Sequence, residues 1–311
     1  MPADYPGGPA VFWSFPDWWY AAFVRDYGAL RASTLMEACN RPAFTVLRTN
    51  TLKIDRAALQ ERLAREEIVT SPAVWAPDGL VVEKRASFAA LASLRAGLFE
   101  VQDEGSQLAA RCIPVREGMR VLDACAGTGG KTLALAAMMR NRGEIVAYDT
   151  GARTLTKLKE RARRAGATIV RTLTSADAVQ RARTRGAFDI VVIDAPCSGS
   201  GTLRRSPDLK WRLCDEAVRA HAARQRSLLD EYAAWCAPAG SVVYITCSLF
   251  GAENEDVVLP WMLSAHYASV KIEEITTHGV PSSFITPQGF FSVTPAVAAM
   301  DGFFVAVMRK V

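Results

Sequence analysis

A short apolar strand that breaks into glycines and then opens a helix, Val121-Leu-Asp-Ala-Cys-Ala-Gly-Thr-Gly-Gly-Lys-Thr132, constrains this chain more than any other stretch. Val121 and Leu122 read as the end of a buried parallel strand. Gly127, Gly129 and Gly130 make a turn tight enough for backbone N–H groups to face a ligand at the helix N-terminus. A phosphate-binding loop would need glycine where this chain has Cys125, and the dinucleotide fingerprint would need its last glycine at Thr132. Neither pattern fits. The one that does is Asp-x-x-x-Gly-x-Gly, read from Asp123 through Gly127 to Gly129.

From Gly118 onward strand and helix patterns alternate, which predicts an α/β domain around a mostly parallel sheet. The expected strands end at Asp123, Asp149, Leu173, Asp194, Thr246, near Val270 and at Met308. Ligands of such sheets bind outside the carboxyl ends of the strands. Asp149, some twenty residues after the glycine turn, is where an acid takes the ribose hydroxyls of an adenosine, and Asp177 is placed for the adenine amino group. The Asp-x-x-x-Gly-x-Gly turn suits the amino-acid end of S-adenosylmethionine. The expected cofactor site is therefore the turn Cys125, Ala126, Gly127, Thr128, Gly129, Gly130 and Lys131, together with Asp149, Asp177 and Asp194.

The residues before the sheet read as a smaller α+β unit. Phe15 to Tyr27 and Ala29 to Cys39 have helical patterning, with Pro16 near the first turn of the first helix. A strand at Thr45-Val-Leu-Arg48, a helix from about Arg56 to Arg65 capped by Asp55, and a strand at Val81-Val82 follow. Trp18, Trp19 and Phe23 have the spacing of a core face, with stacking on bases as the alternative. The unit ends between Gly97 and Glu104, so the expected division is 1–100 for the helices and small α+β module and 101–311 for the sheet domain. A chain of 311 residues is long enough for roughly two domains.

Composition narrows the function classes. No apolar run approaches the ~20 residues that span a bilayer, and no import signal is evident, so a cytoplasmic address is expected. The seven cysteines lack a Cys-x-x-Cys pair and the three histidines are scattered, which indicates neither a disulfide framework nor a metal site. Net charge is only +5, but it is unevenly distributed. Met1 to Ala110 carries 11 basic and 13 acidic residues, whereas Gly151 to Arg226 carries 17 and 7. Such a block favours a polyanion partner, with Arg204, Arg205 and Lys210 as expected phosphate contacts. Basic residues on solvated helix faces, as in Lys157–Arg164, are the competing explanation.

Two cysteines carry the chemistry. Cys197 follows the strand Phe188-Asp-Ile-Val-Val-Ile-Asp194 in a loop locked by Pro196 and glycines, and Cys247 ends the next strand, Val242-Val-Tyr-Ile-Thr246. Neighbouring parallel strands lie ~4.8 Å apart, so both sulfurs can reach one pocket. Methylation at carbon 5 of a pyrimidine needs such an arrangement. That carbon is too weakly nucleophilic until a thiolate adds at carbon 6, and an acid near ring N3, here Asp194, stabilises the adduct. A base must then remove the carbon-5 proton, which gives work to a second cysteine or a water.

Asp194-Ala-Pro-Cys-Ser-Gly-Ser-Gly-Thr-Leu-Arg-Arg-Ser-Pro-Asp-Leu-Lys-Trp211, Tyr244-Ile-Thr-Cys-Ser248 with Glu253-Asn-Glu255, and Asp301-Gly-Phe-Phe-Val-Ala306 resemble the RNA cytosine carbon-5 methyltransferases of the Sun/RsmB type. Gln102-Asp103 and Leu47-Arg-Thr-Asn-Thr-Leu-Lys53 look like that family's N-terminal module. The resemblance implies a Rossmann-like, S-adenosylmethionine-dependent domain with a seven-stranded, mostly parallel sheet, behind a ferredoxin- or RRM-like small domain. It also implies that Cys247 is the nucleophile and that Cys197 assists product release, with Asp194 and Lys131 completing the catalytic set. The chain departs from the family at Gly127-Thr128 in the turn, at Thr154 where an arginine is usual, at Ala296 for histidine and at Met300 for threonine. The expected function is methyl transfer to a cytosine in structured RNA, ribosomal before transfer RNA, by a monomer acting on a ribosomal assembly particle. A non-catalytic RNA-binding assembly factor that kept the fold is the rival.

Overall fold

The computed structural model describes residues 5–175, 187–264, 270–275 and 279–310. Helices α1 (Gly8–Phe12), α2 (Asp17–Tyr27) and α3 (Ala29–Cys39) come first. The small unit follows as β1 (Thr45–Thr49), α4 (Arg56–Arg65), β2 (Thr70–Pro72), β3 (Gly79–Val82), α5 (Ala92–Arg95) and β4 (Phe99–Val101). Asp55 caps α4 by accepting from the Ala58 amide at 2.8 Å, which satisfies one of the free N–H groups of the first turn. The four strands form an antiparallel sheet in the order β2-β3-β1-β4. Leu47, Leu59, Leu63, Leu80 and Phe99 fill the space between sheet and helix.

The large domain runs through α6 (Glu104–Arg111), β5 (Arg120–Asp123), α7 (Gly130–Met138), β6 (Glu144–Tyr148), α8 (Ala152–Ala165), β7 (Val170–Leu173) and β8 (Phe188–Asp194). It continues with α9 (Leu209–Arg212), α10 (Asp215–Ala233), β9 (Cys236–Thr246), α11 (Glu255–Met262), β10 (Val270–Ile272), β11 (Phe291–Val293) and β12 (Phe303–Lys310). Seven strands lie in the order β10-β12-β9-β8-β5-β6-β7, the expected seven, and β11 adds an eighth by pairing with β12. The pairs among β7, β6, β5, β8 and β9 are parallel, while β12 runs antiparallel to β9, β10 and β11. β5 and β8 are apolar on both faces, as a sheet covered by helices on both sides requires. The reversal at β12 brings the loop before Phe303 to the same edge as the ends of β5, β8 and β9.

The N-terminal helices do not pack on the small sheet alone. Phe15, Trp19 and Phe23 share a core with Leu203, Leu249 and Phe250, and the Phe23 and Phe250 rings stack at 5.6 Å. These aromatics are core, as their helical spacing predicts, and the core they make backs the loop that carries Cys247. The small sheet is tied to the large domain by charge. Glu100 of β4, nearly buried, binds Arg161 and Arg164 of α8 at 2.9 and 2.7 Å. Two arginines of the basic block are thereby committed to protein, while Arg153, Lys157, Lys159 and Arg163 on the same helix stay exposed.

Candidate active site

β5 ends at Asp123 and the chain turns through left-handed glycines at Gly127 (φ 53°) and Gly129 (φ 87°) before α7 begins. The two glycines serve different needs. A Cβ on Gly127 would meet nothing within 4 Å among the described residues, so that position faces open space. A Cβ on Gly129 would lie 2.6 Å from Leu158, so that glycine lets α8 pack against the turn. Asp149, the residue after β6, clamps the turn by accepting from the Gly127 amide at 2.9 Å and from Gly151 at 2.7 Å. Arg161 holds its far side by donating to the Thr128 carbonyl and hydroxyl at 2.7 and 2.9 Å. Asp123 is buried, with Oδ2 accepting from Thr132 at 2.6 Å and Oδ1 without a partner among the described residues. An open Gly127, an acid at the next strand end and an orphaned carboxylate oxygen fit the expected donor. Asp177 lies outside the described residues.

Burial pushes the Asp123 carboxyl up to about 7, reinforced by the neighbouring Asp194 charge and opposed by the Thr132 hydroxyl. The fold therefore favours its protonated form. That contribution to stability is complete at pH below the ordinary carboxylate range and is lost as pH rises through about 7. The melting temperature of the wild type should fall from pH 6 to 8 more steeply than that of Asp123→Asn. Parallel profiles would show that another group titrates. Burial likewise pushes the Cys125 thiol upward, with Asp123 adding to the effect, so this cysteine is inert at neutral pH.

The second half of the site joins β8, β9 and the start of β12. Asp194 pairs with Ile245 across the parallel ladder, which brings the loops after both strands together. Cys197 and Cys247 are both partly exposed, and their sulfurs lie 3.3 Å apart. Gly201 is the junction of three loops. Its amide donates to the Cys247 carbonyl at 2.8 Å, its carbonyl accepts from Gly302 at 2.9 Å, and a Cβ there would lie 2.3 Å from the Gly302 oxygen. Lys131, in the first turn of α7, reaches Asp194 at 2.7 Å and stands 5.0 Å from the centre of the Phe303 ring. Burial lowers the Lys131 ammonium, but Asp194 and the Cys247 sulfur more than offset this and leave it raised, hence cationic. The Cys197 thiol is pushed well up, first by its hydrogen bond to Cys247 and then by burial.

A family model described as 16S rRNA methyltransferase RsmB/F matches residues 110–309, and a second, for the ferredoxin-like domain of that family, matches residues 15–89. The chain belongs to the RsmB/F methyltransferase family. It is similar to the probable ribosomal RNA small subunit methyltransferase B of Bacillus subtilis (strain 168), at 32% identity over 302 residues, 96% of this chain and 66% of that protein. It is also similar to the ribosomal RNA small subunit methyltransferase F of Salmonella paratyphi A, at 35% identity over 310 residues, 95% of this chain and 63% of that protein. The chain thus spans slightly less than two thirds of the length of these curated relatives. Among solved structures, a methyltransferase homolog protein from Pyrococcus horikoshii superposes with a TM-score of 0.81 at 26% identity, covering 97% of this chain and 98% of that one. The large domain is a Rossmann-like methyltransferase domain and the small one is ferredoxin-like.

Arg204, Arg205 and Lys210, the phosphate contacts expected for this RsmB/F chain, each have partners within the protein. Arg205 is bound at 2.6 Å to both Asp103 and Asp301, which are nearly buried. Arg204 donates to the carbonyls of Arg41 and Pro42 at 3.2 and 2.5 Å. Lys210 is 8% exposed, donates to Asn40 at 3.0 Å and lies 4.6 Å from the Phe15 ring centre. Together they staple the N-terminal helices and the loop before β12 to the Cys197 loop. Arg205→Ala should cost roughly 2–3 kcal/mol of stability, less than a wholly buried pair because the guanidinium is partly exposed. RNA affinity should change less than twofold; a large affinity loss with an unchanged melting temperature would restore the phosphate role.

The family departures fall in different settings. Met300 is 1% exposed within the core that includes Phe303, so it fills space. Thr154 closes on Gly151, where a Cβ would lie 2.3 Å from its Oγ1. Ala296 lines an open cleft with Tyr27, Arg31 and Thr294. In the sequence Asp123 is marked only as a strand end and start of the glycine pattern and Glu253 only as part of a motif, although an acid closing an apolar strand is a signal for the first. Asp149→Ala removes the clamp and an acceptor together, so donor affinity should drop by about 1–3 kcal/mol in equilibrium binding, with RNA affinity retained. Unaltered donor affinity would take Asp149 out of the site.

Proposed function

We propose that this chain transfers a methyl group from S-adenosylmethionine to carbon 5 of a cytosine in structured RNA, foremost ribosomal RNA, through a covalent adduct with Cys247. The observation that carries the reading is the placement of two cysteine sulfurs 3.3 Å apart at the same sheet edge as the Lys131–Asp194 pair. The curated relatives, by name, act on small-subunit ribosomal RNA. The reading includes action as a monomer, on an assembly particle, in the cytoplasm. With Arg204, Arg205 and Lys210 committed to protein, the exposed cations of α8 become the leading phosphate grip.

S-adenosylmethionine, held by the glycine turn, Asp149 and Asp123, supplies an electrophilic methyl group. The chain's own residues do the rest. Cys197 keeps its proton, and Cys247, 3.3 Å away, gives up its own to solvent to act as the nucleophile. That sulfur bonds to carbon 6 of a cytosine taken out of its stack, and the displaced electron pair moves through carbon 5 toward N3. The Lys131–Asp194 pair donates a proton there and stabilises the developing charge. Once Cys247 is bonded to carbon, the hydrogen bond that raised Cys197 most is gone. With the methyl group on carbon 5, N3 returns its proton to the Lys131–Asp194 pair, and Cys197, its own proton released to solvent, or a water beside it, takes the carbon-5 proton. The carbon 6–sulfur bond breaks and its electron pair returns to Cys247.

RNA transcribed with 5-fluorocytidine tests this reading, because fluorine at carbon 5 cannot leave as a proton does. With S-adenosylmethionine present, a denaturant-resistant protein–RNA band carrying the transferred methyl is expected. RNA binding without such a band, and without binding of S-adenosylmethionine, would favour the assembly factor.

A further inference from the structure

Behind the two sulfurs lies a buried carboxylate that the reaction sequence above does not use. Glu253 ends a single turn of 3-10 helix after the Cys247 loop and is fully buried. One of its oxygens accepts from the Ser198 amide at 2.8 Å and from the Gln225 side chain at 3.1 Å; the other accepts from the Ser248 hydroxyl at 2.5 Å. Ser198 follows Cys197 and Ser248 follows Cys247, so one carboxylate spans the residues after both sulfurs. All three partners donate, which is the pattern an acceptor-only carboxylate needs. Gln225 also donates to the Pro196 carbonyl at 3.0 Å, so α10 locks the residue before Cys197 as well.

We propose that Glu253 is a positioning residue for both cysteines, whose two oxygens fix the separation of the Cys197 and Cys247 loops and whose buried charge faces the Cys197 side. The inference rests on the covalent reading above. Two sulfurs in consecutive catalytic roles must sit at one separation, and a misplacement of about 1 Å can cost on the order of a hundredfold in rate. Hydroxyl contacts alone leave that separation soft: Ser198, Ser200 and Ser248 approach one another at 3.1 to 3.3 Å, and each hydroxyl can rotate to another acceptor. A charged acceptor shared by both loops makes the shorter and stronger contacts. The charge has a second effect, since it adds to the forces that hold Cys197 as a thiol. With that cysteine protonated, the roles of the two sulfurs divide.

The test uses Glu253→Gln, which keeps size and most hydrogen-bonding capacity, beside Glu253→Ala, in the full chain under reductant. Alkylation of Cys197 by iodoacetamide, followed peptide by peptide from about pH 7 to about pH 12, needs no methyl transfer, so it separates failure of this proposal from failure of the covalent reading. In Glu253→Gln the alkylation midpoint of Cys197 should move to lower pH, with a melting temperature near that of the wild type. In single-turnover methylation, Glu253→Ala should lose roughly a hundredfold in rate with less than a threefold change in RNA or donor affinity, and Glu253→Gln should recover most of that loss. An unmoved Cys197 midpoint in a folded Glu253→Gln protein would overturn the electrostatic half. Rates in both variants within threefold of wild type would overturn the positioning half. If Glu253→Ala does not fold, the Glu253→Gln midpoint and its rate decide alone.

Discussion

Cys247→Ala is expected to show no methyl transfer and no covalent protein–RNA band, a fall in rate on the order of 10⁴-fold or more, as removal of a nucleophile gives elsewhere. Cys197→Ala is expected to behave differently although its sulfur is only 3.3 Å away. Addition to carbon 6 and methyl transfer come before the proton at carbon 5 is removed, so a defect confined to release leaves both early steps intact. The methylated adduct should therefore accumulate in Cys197→Ala, survive denaturant, and be absent from the double variant. The assignment of roles has a physical basis in the site. The hydrogen bond, burial and the Glu253 charge hold Cys197 as a thiol, whereas Lys131 is the cation that feels the Cys247 sulfur. An adduct in Cys247→Ala and none in Cys197→Ala would reverse the assignment.

Lys131→Met and Asp194→Asn should each lower the single-turnover rate by 10²–10³-fold, the effect of removing one preorganised donor from a water-poor site. The two side chains meet at 2.7 Å, and Lys131 is 8% exposed. Breaking one partner leaves the other without its counter-charge, so the double variant should be little worse than either single one. RNA affinity should stay within a few-fold, because neither group lies on the exposed basic face. Some stability is also lost on breaking the pair. Rates must therefore be compared on protein shown to be folded. Single variants within twofold of wild-type rate would remove the pair from the chemistry and leave it as a clamp between α7 and β8.

The parts of this site that could be read from the chain are those whose meaning is local. The glycine turn, the strand-ending acids and the two loop cysteines each lie within a few residues of the signal that marks them, and strand spacing alone brings Cys197 and Cys247 together. The protein partners of Arg204, Arg205 and Lys210 were not legible for the opposite reason. Arg205 finds Asp301 96 residues away and Lys210 finds Asn40 170 residues away, and no local pattern distinguishes a paired cation from a free one. Glu253 was quoted only as part of a motif because its partners come from three separate segments. β11 escaped notice because three residues carry too little alternation to mark a strand. Gly129 was assigned to the ligand, while its contact with Leu158 shows a packing demand that only the fold reveals.

The most direct measurement of the central claim is the chemical identity of the product. The chain is incubated with methyl-labelled S-adenosylmethionine and small-subunit ribosomal RNA transcript, the RNA is digested to nucleosides, and the label is separated by chromatography. The account predicts label in 5-methylcytidine alone, abolished by Cys247→Ala. Label in any other nucleoside, or 5-methylcytidine formed undiminished by Cys247→Ala, would contradict it.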